Sequence, residues 1–187
     1  MAQQSFRYAV LSSPVGPITV VEGDRGVVAV DFGEPGPEAL AARLAAALGS
    51  EVVLEKRARL RATTELAEYF RGRRRTFGVS IDYSLTNGFQ RRVLERLTRV
   101  AFGQLTTYGE LAKGVGKPGA ARAVGVAMAK NPLPILVPCH RVVASDGSLG
   151  GFSGGLDVKR RLHQHEGLDE LAGGWLTKRE RQLGLAR

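Results

Sequence analysis

The sequence predicts an α/β (α+β) fold, with an antiparallel-sheet N-terminal half carrying helices (residues 1–84) and a mostly helical C-terminal half (residues 85–187) containing a helix-turn-helix. Three observations predict it. Short β-rich runs alternate with turn signals only in the first third of the chain. Apolar residues at helical spacing dominate from Phe89 onward. Between them Tyr83-Ser84-Leu85-Thr86-Asn87-Gly88 reads as a link.

In order, Phe6 to Phe32 is broken by Ser12-Ser13-Pro14-Val15-Gly16 and by Glu22-Gly23-Asp24-Arg25-Gly26, which predicts a three-stranded meander. Pro37 opens an Ala- and Leu-rich helix ending near Gly49, Glu51 to Glu55 is a strand, and a second helix runs from about Ala62 to Arg71. The cluster Arg71-Gly72-Arg73-Arg74-Arg75 is either a phosphate-binding patch or a solvated loop.

The helix Phe89 to Ala101 places Phe89, Val93, Leu94, Leu97 and Val100 on one buried face, with Arg91, Arg92, Arg96 and Arg99 elsewhere. Thr107 and Glu110 form a capping box that starts a short helix through Lys113, stopping at Gly114. Pro118 is expected to open the next helix, which runs to about Lys130, buries Ala120, Val124, Ala127 and Met128, and ends before the extended residue that Pro132 demands. These two helices and their Gly-rich turn are a helix-turn-helix candidate or a simple packing hairpin.

The first turn of that second helix, Pro118-Gly119-Ala120-Ala121, is a flat edge that would let backbone approach DNA closely. Arg122 then projects, either to fill a gap in a base stack or as an ordinary exposed or salt-bridged arginine. Tyr108 and Met128 read equally well as boundary and core residues. A final helix runs from about Leu156 to Glu166 and stops at Gly167; beyond it come an isolated Trp175 and a basic helix-like segment, to which no function is assigned.

Composition narrows the class of protein. The chain has 187 residues, enough for a real core, and 27 Lys and Arg against 18 Asp and Glu give a net charge of +9. That balance favours a polyanionic partner such as nucleic acid, or serves solubility alone. No apolar run of about 18 residues calls for a membrane helix, and the N-terminus lacks a secretory pattern, so a cytoplasmic location with no membrane partner is expected. A single cysteine and three histidines cannot assemble the usual zinc spacings, so no metal is expected.

That cysteine lies in Ile135-Leu136-Val137-Pro138-Cys139-His140-Arg141-Val142-Val143, whose apolar flanks are expected to carry a short polar centre inward on extended chain. A lone buried cysteine is often inert. Its free pKa of about 8.5 leaves only a few per cent thiolate at neutral pH, so catalysis needs a base beside it. His140 is the candidate, although adjacent side chains on extended chain point apart, so contact requires a turn or a bridging water. Glu166, at a helix C-terminus where the dipole disfavours a carboxylate, needs a partner, and His140 would serve. Cys139, His140 and Glu166 then form a relay with triad logic. His163 and His165, on a basic helix, read as surface or boundary residues.

The segment Asn131-Pro132-Leu133-Pro134-Ile135-Leu136-Val137-Pro138-Cys139-His140-Arg141-Val142-Val143 resembles the signature of the O6-alkylguanine-DNA alkyltransferases. The resemblance extends through Tyr108-Gly109-Glu110-Leu111-Ala112, Ala121-Arg122-Ala123-Val124-Gly125, Ser153-Gly154-Gly155-Leu156 and His165-Glu166-Gly167. The N-terminal half is similar only in layout, for which the family implies a ribonuclease H-like domain.

The resemblance implies direct-reversal repair: an alkyl group on O6 of guanine in double-stranded DNA, and by extension on O4 of thymine, moves irreversibly to Cys139 after the base is flipped out. It implies His140 as base through water, Glu166 as its orienter, and Asn131 as a brace between the reactive segment and the helix-turn-helix. Tyr108 would donate a proton to the leaving guanine, Met128 would pack on the flipped base, Ser153 would read its edge, and Lys159 would lie near the pocket lip.

It further implies that the helix-turn-helix enters the minor groove, with Gly119, Ala120 and Ala121 at the close approach and Arg122 in the vacated stack. No cofactor, no zinc and no obligate protein partner are expected. Without a second cysteine-containing module, a transcription-factor role is not expected either. Phe152 stands where the family commonly has tyrosine, which removes a hydroxyl from the pocket and leaves the accepted alkyl groups open. A non-enzymatic lesion sensor lacking the acceptor cysteine, and a cysteine hydrolase with turnover, are the competing classes.

Overall fold

A computed structural model describes residues 3–171 and 174–176. The chain divides into two compact units, Met1–Asn87 and Gly88–Arg187.

In the first unit, β1 (Gln3–Ser13), β2 (Gly16–Gly23) and β3 (Gly26–Phe32) form the expected antiparallel meander. β4 (Glu51–Lys56) joins β1 in parallel, giving the order β3-β2-β1-β4. The helices α1 (Pro37–Leu48) and α2 (Arg61–Phe70) flank β4 in sequence. α1 begins on a proline whose fixed φ suits a first turn and ends at Gly49 in the left-handed region, φ 64°. It buries Leu40 and Leu44 against Phe6, Tyr8, Val21 and Val28. Neighbouring Val20 and Val21 point to opposite faces of β2, and both are fully buried, so both faces of the sheet are covered.

The free edge of β3 is closed by residues 80–82: the Val27 N–H donates to Ser80 O at 2.9 Å and the Asp82 N–H to Val27 O at 2.9 Å. That close approach depends on Gly26, at φ 127°, where a Cβ would lie 2.3 Å from Ser80 O.

The second unit contains α3 (Gly88–Leu97), β5 (Thr106–Thr107), α4 (Tyr108–Gly114), α5 (Ala121–Ala129), a 3-10 turn (Cys139–Arg141), β6 (Val142–Val143), α6 (Leu156–His165), and a hairpin of β7 (Asp169–Leu171) and β8 (Gly174–Leu176). Trp175 falls in β8, and the final basic segment, residues 177–187, lies outside the described residues.

α3 is shorter than its periodicity predicts. Val93, Leu94 and Leu97 are buried as expected, but Phe89 and Val100 are only half-buried. Gln90 takes the buried face instead, because its Nε2 donates to Ala127 O at 3.3 Å and Lys130 O at 2.8 Å, two carbonyls at the end of α5.

Thr107 caps α4: its Oγ1 accepts from the Glu110 N–H at 3.1 Å, while Glu110 Oε2 accepts from the Thr107 N–H at 2.8 Å. α5 departs from expectation at its start. Pro118 does not open it; Pro118 and Gly119 form a turn in which the Ala120 N–H donates to Lys117 O at 2.9 Å, and the helix starts at Ala121 with Ala120 half-buried as its cap. Val124, Ala127 and Met128 are buried. Among the described residues no helix is long and apolar enough to cross a membrane.

Replacing Gly26 with Ala is expected to cost about 2 kcal/mol or more, since it adds backbone strain to a clash with Ser80 O. A lowered denaturant midpoint checks this; an unchanged midpoint would mean that residues 80–82 do not close the sheet edge.

Candidate functional site

The segment from Asn131 to Arg141 is a series of tight turns rather than the extended chain expected. Val137 N–H donates to Leu133 O at 2.8 Å, and Ile135 between them has φ 73°, a left-handed conformation that is costly for a β-branched residue. Pro138, at φ −80° and ψ 64°, is the centre of an inverse γ-turn closed by the Cys139 N–H on Val137 O at 2.8 Å. The Arg141 N–H then donates to Pro138 O at 2.9 Å, winding Cys139–Arg141 into the 3-10 turn. Downstream, β6 pairs in parallel with β5, Thr106 opposite Val142 and Thr107 opposite Val143. That pairing brings the start of α4, and so Tyr108, to the cysteine's neighbourhood.

Asn131 holds the turn from within. Its Nδ2 donates to Val137 O at 3.0 Å and to Cys139 Sγ at 3.1 Å, and its Oδ1 accepts from the Leu133 N–H at 3.0 Å. Cys139 is buried, and burial pushes its thiol up to about 11, against the Asn131 hydrogen bond and the nearby Lys159 charge, which pull it down. At neutral pH the group is therefore a thiol.

Glu166 is the polar centre of the site and is itself buried. Oε1 lies 2.9 Å from His140 Nε2 and accepts from Arg141 Nη2 at 2.8 Å; Oε2 accepts from Arg141 Nε at 2.9 Å and from the Gly103 N–H at 3.0 Å. Burial alone would raise this carboxyl, but the hydrogen bonds from His140 and Arg141 and the charge of the Arg141 guanidinium outweigh it and hold it well below the usual carboxylate range. Arg141 meets the carboxylate with a two-pronged fork, and its Nη1 donates to Val100 O at 2.6 Å. Because the guanidinium balances the carboxylate, the fully buried imidazole need not be charged, and burial lowers the His140 pKa. An ionised Glu166 only accepts, so Nε2 carries the proton and Nδ1 is left basic. Nδ1 has no hydrogen-bond partner among the described residues.

Two residues sit differently from expectation. His163 is not at the surface or boundary: it is fully buried, its Nε2 is 2.5 Å from His140 O, and burial pushes its pKa down to about 4. At neutral pH it is uncharged, so Nε2 donates to that carbonyl. Lys159, expected near a pocket lip, is turned inward. It is fully buried, its Nζ donates to Val142 O at 2.6 Å and to Leu149 O, and burial lowers its pKa to about 8. Backbone carbonyls from distant loops draw both inward. His165 is half-buried, its ring edge-on to Phe102.

Tyr108 is half-buried, and burial raises its pKa, with a smaller contribution from Cys139, so it is a phenol at neutral pH. A Cβ on Gly150 would lie 2.7 Å from its Oη, and one on Gly125 of α5 4.0 Å from its ring. Met128 is buried on α5, Phe152 is half-buried and Ser153 exposed on the approach to α6, and Gly119 and Arg122 are exposed at the turn and the start of α5. Arg141 is the residue that reading the sequence missed. An arginine between a cysteine-histidine pair and two valines calls for a buried carboxylate, and that was its signal. No group of three or more metal-ligating side chains occurs among the described residues.

Comparisons with known proteins agree across both units. A family model described as the ribonuclease-like domain of 6-O-methylguanine DNA methyltransferase matches residues 6–83, and one described as its DNA binding domain matches residues 88–168. A methylated-DNA--protein-cysteine methyltransferase of Metallosphaera sedula is 40% identical over 87% of this chain and 94% of its own length. The protein of that name from Methanosarcina acetivorans is 37% identical over 86% and 97%. The crystal structure of Mycobacterium tuberculosis OGT in complex with DNA has a TM-score of 0.71 at 33% identity, covering 86% of this chain and 92% of that one. An O6-methylguanine-DNA methyltransferase from Pyrococcus kodakaraensis gives 0.61 at 29% identity, covering 86% and 99%.

His163 makes stability depend on pH. Its folded pKa lies below the unfolded value of about 6.5, so the unfolded chain takes the proton first; the contribution is intact above about pH 6.5 and is lost as pH falls toward 4. The loss amounts to about 3 kcal/mol at about 1.4 kcal/mol per pH unit. Urea unfolding at pH 7 and pH 4 measures it, and His163→Leu is expected to flatten the slope by about one proton. An unflattened slope would place the effect elsewhere.

Proposed function

The chain belongs to the 6-O-methylguanine DNA methyltransferase family, and from that membership we propose that Cys139 is its alkyl acceptor, consumed in a single transfer. The protein carries out direct-reversal repair as a methylated-DNA--protein-cysteine methyltransferase. The observation that carries the assignment of residues is the buried ladder from Cys139 through the adjacent His140 to Glu166.

The chemistry follows from the protonation states. The thiol gives its proton through a water to His140 Nδ1, and the imidazolium so formed is stabilised by Glu166 through Nε2. The thiolate attacks the alkyl carbon; an S–C bond forms, the C–O6 bond breaks, and its electron pair goes to guanine. Tyr108 supplies a proton so that the base leaves neutral, and the proton held by His140 returns through solvent to the phenolate. Lys159 favours the thiolate by its charge. No step needs a cofactor, and the thioether has no route back to thiol.

Reaching a base inside a duplex requires extrusion. In this reading the small residues Gly119, Ala120 and Ala121 suit a close backbone approach in the minor groove, and Arg122, exposed at the start of α5, fills the vacated stack. Asn131 braces Cys139 and links the reactive segment to the end of α5. Met128, Phe152 and Ser153 form the base pocket in this reading, and Phe152 offers a ring but no hydroxyl. O4-alkylthymine is a further substrate of the same chemistry. A protein that acts on DNA works inside the cell, so a cytoplasmic, DNA-associated location goes with this reading.

Intact-mass analysis after incubation with duplex DNA carrying O6-methylguanine is expected to show one methyl group per protein, located on Cys139 and absent from Cys139→Ser. Repeated release of product from one molecule would instead indicate a hydrolase. Arg122→Ala is expected to slow transfer from duplex DNA by about tenfold or more, as loss of a stack-filling side chain should when unstacking costs a few kcal/mol. Transfer from the free alkylated base should be little changed, and equal losses on both substrates would remove Arg122 from extrusion.

A further inference from the structure

The unit Met1–Asn87 holds a basic groove that alkyl transfer does not use. Leu11, Arg59, Thr64, Glu68, Arg71 and Arg73 are among the residues lining a cavity of about 520 Å³ along one side of α2. Thr64, Glu68 and Arg71 are spaced four and three apart, so they form one stripe of the helix.

Three arginine charges of this groove have no ion-pair partner among the described residues, and its one carboxylate, Glu68, is held by Arg74. Elsewhere in the unit, Arg7 pairs with Glu22, Arg25 with Asp82, Arg43 with Asp31, and Arg57 with Glu55. The two carboxylates of α2 are also occupied: Glu65 by Arg61 at 3.0 Å and Arg74 at 3.5 Å, Glu68 by Arg74 at 2.7 Å. Arg59, Arg71 and Arg73 are exposed and enter no ion pair among the described residues. The basic run at residues 71–75 is thus divided: Arg74 is structural, while Arg71 and Arg73 face the groove.

Guanidinium forks match phosphate oxygens, and none of the groove's lining residues is aromatic, so nothing there would stack a base. From Thr64 to Arg71 the stripe is about 10 Å long at about 1.5 Å per residue. That length reaches about two neighbouring phosphates of one strand.

We propose that this groove is an accessory site for the phosphodiester backbone of duplex DNA. It rests on the reading that DNA is the substrate and extends it to a unit with no part in the chemistry. Arg71 holds a phosphate at the C-terminal end of the α2 stripe, and Arg59, before α2, and Arg73, after it, hold the strand from either side. The site reads no sequence and no lesion, so it adds affinity to damaged and undamaged duplex alike.

The test uses the full chain and undamaged duplex, with affinity measured across a salt series. In Arg59→Ala/Arg71→Ala/Arg73→Ala the slope of log affinity against log salt should fall by about three, one per arginine, and affinity at moderate salt by about tenfold or more. The control Arg7→Ala/Arg25→Ala/Arg57→Ala removes the same charge from paired positions and should keep the slope within about one. An unchanged slope in the groove variant overturns the proposal, and so does an equal fall in both, which would signify only the overall field. Transfer from free O6-alkylguanine should be unaffected in both variants, and its loss in the groove variant would also overturn a separate site. Failure of that transfer in the unaltered protein would instead count against Cys139 as acceptor and leave the groove standing.

Discussion

A single buried carboxylate organises the reactive half of the molecule. Among the described residues Glu166 accepts hydrogen bonds from His140, twice from Arg141, and from the Gly103 backbone. Those donors come from the 3-10 turn and from the chain after α3, while Glu166 itself closes α6, so one group ties three elements together. Its burial would be prohibitive without such partners, and removing one side of a buried pair typically costs about 3–5 kcal/mol. The constraint also explains Arg141: without its guanidinium the carboxylate charge would fall to His140, which would then be held as imidazolium and could not take a proton.

The same arrangement accounts for a cysteine that is inert at rest yet fit to react. Burial keeps Cys139 protonated, which shields it from adventitious oxidation and alkylation, since the thiolate is the reactive form. The Asn131 amide and the buried Lys159 favour the thiolate, and a neutral His140 waits beside it. With Cys139 as the proposed single-use acceptor, a slow resting thiol preserves the protein until alkylated DNA is met. The left-handed Ile135 and the inverse γ-turn at Pro138 present the thiol, and Asn131 locks both from inside.

Local chemistry was the legible part of the sequence. The meander, the proline start and glycine stop of α1, and the Thr107/Glu110 capping box depend on residues a few positions apart, and each lies where the sequence puts it. Tertiary contacts overrode local signals elsewhere. Pro118 favours a helix start, yet the turn through Gly119 defers α5 to Ala121. Gln90 is polar on a face read as apolar because it serves the carbonyls ending α5. β4 was foreseen as a strand, but its parallel pairing with β1 depends on a long-range register that no local pattern encodes.

Within the site Cys139, His140 and Glu166 could be singled out, while the inward turn of Lys159 and His163 could not. Lys159 and His163 alternate with Arg160, Arg161 and His165 on one helix, so periodicity alone gives no sign of which face turns inward. The deciding partners, the carbonyls of His140, Val142 and Leu149, have no side-chain signature. The central claim is that Glu166, balanced by Arg141, holds His140 as a neutral base with its proton on Nε2. Nitrogen-15 NMR of the His140 imidazole at pH 7 measures this directly: the account predicts a neutral ring protonated at Nε2 with Nδ1 bare, and an imidazolium or an Nδ1-protonated ring would contradict it.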